Sequence, residues 1–231
     1  MKKKFLVILV AVMFTASYAN AQLSVGGRLG LNLTTVSTRD FDGKKPHKDD
    51  RYKFKPGFQI GAVADYALSN ELSIQPGLIF SQLGYKKKIG KTDAKVVTNL
   101  NYIQLPANLM YKLDVSGFKL FAQAGPYLGI GINGKVKMWD GDGKRVKKED
   151  IPFAEDDWDK IKFGGDENKH NFKALDFGFG VGAGIQFNEI QIALSHSFGL
   201  LNADHKSDFG NDKSSTRNHC FAITATYLFG L

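Results

Sequence analysis

The feature that most constrains this chain is a period of two that recurs along nearly its whole length. From residue 23 onward, apolar side chains alternate with small or polar ones in eight segments, which indicates β-strands with two unlike faces. In the sixth segment, Phe177, Phe179 and Val181 alternate with glycines. The segments are 23–34, 57–67, 72–85, 102–113, 118–133, 174–187, 190–201 and 218–231. The pattern predicts an all-β fold, with a β-bulge at Pro76-Gly77, where the alternation is interrupted.

The connections between the segments alternate as well. Short turns at 69–71, 114–117 and 188–189 follow the second, fourth and sixth segments. Long polar loops at 35–56, 86–101, 134–173 and 202–217 follow the first, third, fifth and seventh. Outer-membrane barrels have short turns on the periplasmic rim and long loops on the extracellular rim. We therefore expect an eight-stranded antiparallel up-and-down transmembrane β-barrel with short periplasmic turns and long extracellular loops.

The first 21 residues have the three parts of a secretory signal peptide, namely an early lysine cluster, an apolar run and a small-residue stretch ending at Ala21. Cleavage there divides the chain into a signal peptide, 1–21, and an outer-membrane β-barrel domain, 22–231. The new amino terminus would be Gln22 and not cysteine, so no lipid anchor is expected. Beyond the signal, no stretch reaches the roughly 18 apolar residues that a membrane helix needs. Any crossing must therefore use strands.

Charge and cysteine content exclude few functions. Without the three lysines at positions 2–4, the chain has 28 basic and 23 acidic residues, a mild excess that does not imply a nucleic-acid partner. The single cysteine, Cys220, cannot form an internal disulfide, and we expect it to be a packed small residue and not a reactive thiol.

The composition of the two strand faces indicates which one meets lipid. The less apolar face is mostly glycine, serine, asparagine, glutamine and threonine, with few charges, which suits a narrow barrel interior better than a water-exposed surface. We expect the apolar face to meet lipid and side chains to fill the interior. Aromatic residues near the strand ends predict two girdles at the membrane interfaces. They are Tyr66, Tyr111, Phe118, Phe187, Tyr227 and Phe229 at the short-turn rim, and Phe58, Phe177, Phe198 and Phe221 at the long-loop rim.

Several stretches resemble a known family. They are NYIQLPANLMYK at 101–112, AGPYLG at 124–129, and DFGFGVGAG at 176–184 with SFGL at 197–200. Together the mature chain resembles the small PorT-like "porin family" outer-membrane barrels of Bacteroidetes. The resemblance implies a bacterial outer-membrane location. It also implies, as one alternative, an accessory role in protein secretion across that membrane.

Two charged residues are expected to project into the barrel interior from neighbouring strands. Arg28 and Asp65 both lie on the less apolar face, and we predict a buried ion pair or an interior polar network there. A plug or gate is the functional alternative to simple charge compensation.

Two loops are candidates for surface contacts. The second long loop carries Lys86, Lys87, Lys88, Lys91 and Lys95 against Asp93, so we expect it to contact outer-membrane lipid head groups, including lipopolysaccharide. The loop 134–173 holds ten basic and ten acidic residues and is a candidate site for a protein partner, a polysaccharide or a metal ion. Its Asp140-Gly-Asp142-Gly sequence lacks the remaining ligands of a calcium loop, so a solvated turn is favoured. The last strand, 218–231, is the expected contact for the outer-membrane assembly machinery.

Catalysis is not expected. Ser195 and His196 could suggest a serine hydrolase, but adjacent residues on one strand point to opposite faces. We therefore assign no catalytic, metal or cofactor-binding residue and expect no cofactor. Three function classes remain: a structural or surface-interaction barrel, which we favour; a transport role as a narrow pore or secretion accessory; and a lipid-modifying enzyme.

Overall fold

A computed structural model describes residues 22–39, 44, 52–89, 94–151, 157–164, 172–203 and 215–230. The expected signal peptide and its cleavage site precede the described residues. The ten strands, in chain order, are β1 (Leu23–Arg39), β2 (Tyr52–Lys53), β3 (Lys55–Ala67), β4 (Leu72–Lys88), β5 (Lys95–Val115), β6 (Phe118–Trp139), β7 (Lys160–Ile161), β8 (Leu175–Phe187), β9 (Ile190–Gly199) and β10 (Ser215–Gly230). Within the described residues, no helix is long and apolar enough to cross a membrane.

Eight of these strands form a closed antiparallel ring. The order around it is β1, β3, β4, β5, β6, β8, β9 and β10, and β10 pairs with β1 to close the barrel. Strands β2 and β7 are short additions that pair with β4 and β6. The expected eight-stranded barrel is confirmed. Closure leaves no ring strand with a free edge. This matters because lipid cannot hydrogen-bond the unpaired N–H and C=O groups of an edge strand.

The tight turns at one rim fit their residues. Ser116 and Gly117 have φ angles of 39° and 106°, and Asn188 has a φ angle of 49°. Two-residue hairpin turns require such left-handed backbone, which glycine and asparagine adopt at little cost. The local sequence therefore specifies where the chain reverses between β5 and β6 and between β8 and β9.

The apolar face of the barrel points outward, as expected. Leu29, Leu31 and Leu194 are 60%, 68% and 65% exposed, whereas Arg28 and Asn32, which alternate with the first two, are 8% and 3% exposed. The aromatic residues expected at both rims lie on this outer face. An exterior built in this way matches the acyl chains of a bilayer.

The bulge predicted at Pro76-Gly77 is wrong. Ser73, Gln75, Ile79 and Ser81 all face inward, and the β4 registers with β3 and β5 are constant. Pro76, on the outer face, lacks a backbone N–H to donate, but the register on both sides of it is unchanged. The irregularity instead lies in β6, where Asn101 pairs with Asn133 but Tyr102 pairs with Gly131. The extra residue is Ile132.

Most strands are longer than predicted at the long-loop rim, whereas β8 begins at Leu175 and β9 ends at Gly199, inside the predicted limits of 174 and 201. β1 continues to Arg39, β5 begins at Lys95 and β6 ends at Trp139, so parts of the predicted loops are strand. The prediction ended each strand where apolar alternation ended. Backbone hydrogen bonds continue the ladder regardless of side-chain polarity, so the wall of the barrel rises beyond its apolar band.

The loop 134–173 is not wholly a polar surface loop. Its residues Ile161, Phe163 and Phe172 join an apolar cluster in the mouth of the barrel, with Leu83, Leu100, Tyr102, Val136 and Cys220. Phe163 contacts Tyr102 edge-on, with ring centroids 5.3 Å apart. Cys220 is thus a packed residue at the inner face.

Candidate functional site

A polar network occupies the interior towards the short-turn rim. Lys112 Nζ donates to Asp65 Oδ1 at 3.0 Å and to Oδ2 at 2.9 Å. The two side chains are 12% and 5% exposed. Gln191 and Gln75 also donate to Asp65 Oδ2, at 3.4 and 2.9 Å. A buried carboxylate with one cation and two amide donors is well compensated, because its charge and lone pairs have partners.

Arg28 joins this network without contacting Asp65 directly. Its guanidinium donates from Nε to Thr226 Oγ1 at 2.9 Å and from one terminal nitrogen to Gln75 Oε1. In the β1–β3 register, Arg28 lies opposite Gly61, whereas Asp65 lies opposite Ser24. An offset of four residues is about 13 Å along a strand. Gln75, on β4, connects the two expected residues.

Lys112 and Gln75 were not predicted as members of this site. Lys112 alternates with Tyr111 and Leu113 and shares the less apolar face of its strand with Gln104 and Asn108, which is the sequence signal for it. Its role as the direct partner of Asp65 depends on β4 lying between β3 and β5 around the ring. That relationship follows from the registers of two successive strand pairs and not from any local pattern.

The middle of the barrel is polar and contains little free space. Two cavities of about 60 and 30 Å³ are lined by shared residues that include Gln59, Gln104, Tyr127, Ser195 and Ser197. Cavities of this size hold no more than a few water molecules. Each therefore has room for water and not for a metabolite.

The apolar cluster forms the last layer before the mouth. Tyr102, Leu100 and Leu83 are at most 2% exposed. Gly131 makes room for the ring of Phe163, because a Cβ at position 131 would lie 2.4 Å from Phe163 Cδ1. The loop that follows β6 thus contributes side chains that close the barrel from above.

A second candidate site is a row of lysines on the outer face of the extended wall. Lys53 on β2 pairs with Lys86 on β4, and Lys88 on β4 pairs with Lys95 on β5. Val97 on β5 pairs with Lys86 on one side and with Lys137 on the other. Because directly paired residues share a face of the sheet, these side chains all lie on one face. With Lys135 they form the basic outer face, which comprises Lys53, Lys86, Lys88, Lys95, Lys135 and Lys137.

The structure separates the five lysines expected to contact lipid head groups. Lys86, Lys88 and Lys95 belong to the basic outer face. Lys87 lies on the opposite face, with its ammonium 5.5 Å from the ring centroid of Tyr52. Lys91 lies outside the described residues. Lys53, Lys135 and Lys137 were missed because their register with the second loop appears only once the strands are paired.

The loop that follows β6 begins with a turn. Asp140 Oδ1 accepts hydrogen bonds from the backbone N–H groups of Asp142 and Lys144, at 3.0 and 2.8 Å. This Asx-type arrangement stabilises the turn directly. Farther along, Lys160 and Lys162 lie 2.8 and 3.2 Å from Asp157 and lower the pKa of its carboxyl group.

Ser195 and His196 diverge, as expected. Ser195 lines the interior cavities, whereas the His196 ring stacks on Phe221 at the outer face, with centroids 4.1 Å apart. His196 Nε2 lies 3.4 Å from Nδ1 of His219. This serine and this histidine are therefore on opposite sides of the barrel wall.

One family model and several solved structures are similar to this chain. The family model for the outer membrane protein beta-barrel domain matches residues 16–204. Similar solved structures include Ail of Yersinia pestis in complex with the heparin analogue sucrose octasulfate (15% identity, 90% of this chain and 99% of that chain, TM-score 0.39). Two others are OprG of Pseudomonas aeruginosa (11%, 91% and 98%, TM-score 0.42) and the outer membrane protease OmpT of Escherichia coli (11%, 91% and 97%, TM-score 0.42). No curated protein matches the sequence.

Proposed function

Because this chain belongs to the outer membrane protein beta-barrel domain family, and so resides in the bacterial outer membrane, we propose that it is a closed structural and surface-interaction barrel. Its role is to stabilise the membrane and to present its extended wall and loops at the cell surface. It does not act as a diffusion pore.

One observation carries this proposal: the described interior is filled by two successive layers of side chains. The Asp65 network fills the half near the short turns, and the cluster around Tyr102 fills the half near the mouth. Between them lie small cavities of about 60 and 30 Å³. A hydrated ion needs a continuous wet path, and these layers interrupt it.

Conductance across a planar bilayer tests the proposal. The full mature chain, inserted at single-molecule density, is expected to give no stepwise current in molar potassium chloride. Sustained openings from correctly folded protein would contradict it. Heat-modifiable electrophoretic mobility of the same sample checks folding independently.

A secretion-accessory role is the second candidate, and it rests on the resemblance of 101–112, 124–129 and 176–184 to PorT-like barrels of Bacteroidetes. The loop 134–173 would then present its exposed part, near Asp140 to Asp150, to a protein partner. The last strand, β10, would be the segment that the assembly machinery engages. Deletion of the gene in the native host, followed by profiling of secreted proteins and of envelope integrity, distinguishes a secretion role from a structural one.

We also propose that the protein is not an enzyme. Ser195 and His196 lie on opposite sides of the wall, which supports this proposal because a nucleophile and its base must be within hydrogen-bond reach. Incubation with radiolabelled outer-membrane lipid is expected to leave the lipid unchanged. Release of a labelled product that depends on folded protein would contradict this assignment.

A further inference from the structure

We propose that the basic outer face binds the phosphate groups of lipopolysaccharide in the surrounding leaflet. The inference deepens the surface-interaction part of the proposed function and rests on it. The site is formed by Lys53, Lys86, Lys88, Lys95, Lys135 and Lys137 on strands β2, β4, β5 and β6.

The first argument is charge. None of these six lysines forms an ion pair with an acidic residue in the described parts of the chain. The ammonium of Lys95 lies over the ring of Trp139, 4.9 Å from its centroid, and that contact leaves the charge available to an anion. Like charges on one face repel each other, so an anionic partner lowers their free energy.

The second argument is position. On β5 the outward residues change from Leu105 and Ile103 to Asn101 and Asn99, and one buried apolar residue, Val97, follows before Lys95 is reached. Asn101 Nδ2 donates to Asn133 Oδ1 on β6 at 2.8 Å, so amides mark the upper limit of the apolar band on both strands. The lysines follow on the same outer face. Their ammonium groups therefore face the head groups of lipids whose acyl chains touch the barrel below.

The third argument is height, which selects the kind of lipid. Lys135 stands three residues beyond Ile132, and Lys95 stands eight residues beyond Ile103. At about 3.3 Å per residue and a tilt of about 40°, these positions are about 8 and 20 Å above the apolar band. A phospholipid head-group layer is only about 5 to 8 Å thick. The phosphorylated saccharide of a glycolipid extends far enough to meet both lysines.

The fourth argument is that the lysines are confined to one sector of the barrel. The next two strands around the ring, β8 and β9, contain no lysine and end lower, with β8 beginning at Leu175 and β9 ending at Gly199. Where β8 has not yet begun, an open groove of about 580 Å³ lies along β6 and β7 and includes Asn133, Lys135 and Gly134. A localised cluster beside a groove favours a bound lipid over a diffuse ring of counter-ions.

Binding by native mass spectrometry of the full mature chain tests the inference. The probes are lipopolysaccharide with its phosphate groups and the same lipopolysaccharide after enzymatic dephosphorylation. The variant Lys86→Gln/Lys95→Gln/Lys137→Gln is expected to bind the phosphorylated probe at least about tenfold more weakly than the wild type. The control Lys144→Gln/Lys147→Gln/Lys148→Gln, with the same charge change outside the face, should stay within about twofold.

Three results would overturn the inference: equal losses in the two triple variants, wild-type binding that ignores dephosphorylation, or equal affinity for a soluble polyphosphate, which would indicate a general polyanion site. The variant Lys86→Arg/Lys95→Arg/Lys137→Arg should retain binding and guards against misfolding.

Lipid binding and conductance are separate readouts. A silent barrel that fails to bind lipopolysaccharide would refute this inference alone, whereas a conducting barrel would refute the closed-barrel proposal.

Discussion

Lys112 donates to both carboxylate oxygens of Asp65, although β4 lies between the strands that carry them. The pair replaces the direct Arg28–Asp65 contact that the sequence first suggests. Arg28 is linked to Asp65 only through Gln75. Lys112 should therefore contribute more than Arg28 to stability, because it is the cation that compensates the buried Asp65 carboxylate.

Replacing Lys112 tests the ion pair. Lys112→Met leaves a buried carboxylate without its cation, so the free energy of unfolding should fall by about 3–5 kcal/mol. Urea unfolding of the protein in lipid vesicles measures this change. The matched control is Lys119→Met, which removes an exposed pair with Asp114 at 3.7 Å and should cost less than about 1 kcal/mol. Equal stabilities of the two variants would refute the assignment.

The bridging role of Gln75 predicts an energetic coupling between residues that do not touch. Arg28→Met and Asp65→Asn should be non-additive in a double-mutant cycle, by at least about 0.5 kcal/mol. In a Gln75→Leu background the coupling should fall towards zero, because the connecting amide is gone. A coupling energy that is the same in both backgrounds would show that Gln75 does not transmit it.

The closure of the mouth depends on Gly131. Gly131→Val is expected to displace the Phe163 ring, because the new Cβ would overlap it. Displacement should accelerate chymotrypsin cleavage after Phe163 in folded protein. Gly27→Val is the control, since an added Cβ there meets no atom within 4 Å. Unchanged cleavage in Gly131→Val would mean that the ring is not held by this contact.

The lipid-facing assignment predicts a cost that depends on depth. Leu109 lies near the centre of the outward apolar run of β5, and Leu109→Arg should destabilise the barrel by about 2–4 kcal/mol. Ile103→Arg, on the same face near the end of the run, should cost about 0–1 kcal/mol. Unfolding from vesicles measures both. Equal effects would contradict the proposed position of the strand in the membrane.

The contacts of Asp157 predict a pH dependence in the third loop. Hydrogen bonds from Lys160 and then Lys162 lower the pKa of Asp157 below its ordinary value of 3.8. A lowered folded-state pKa means that the contribution is present above 3.8 and is lost as pH falls through the lowered value. The carboxyl resonance of Asp157 should titrate below 3.8, and Lys160→Met/Lys162→Met should return it towards that value. High salt should weaken the effect, because the pair is exposed.

Local patterns predicted some features of this barrel well and others poorly. The faces of β1 and β8 follow from alternation, because a period of two is a property of each strand by itself. The Pro76-Gly77 bulge was wrong because the other ladder hydrogen bonds of β4 keep its register, although proline itself cannot donate one. The bulge at Ile132 could not be predicted from the sequence, because one extra apolar residue in a strand resembles a continuation of that strand.

The sequence by itself determined the eight strands of the ring, the outward face, the short-turn rim and the inward orientation of Arg28, Asp65 and Lys112. These depend on the pairing of neighbours along the chain, which alternation and turn residues encode. Only the tertiary structure decided that Lys112 reaches Asp65, that Phe163 fills the mouth and that Lys137 joins Lys86 on one face. Such contacts depend on ring closure and on register between strands, quantities that belong to the assembled barrel and to no single segment.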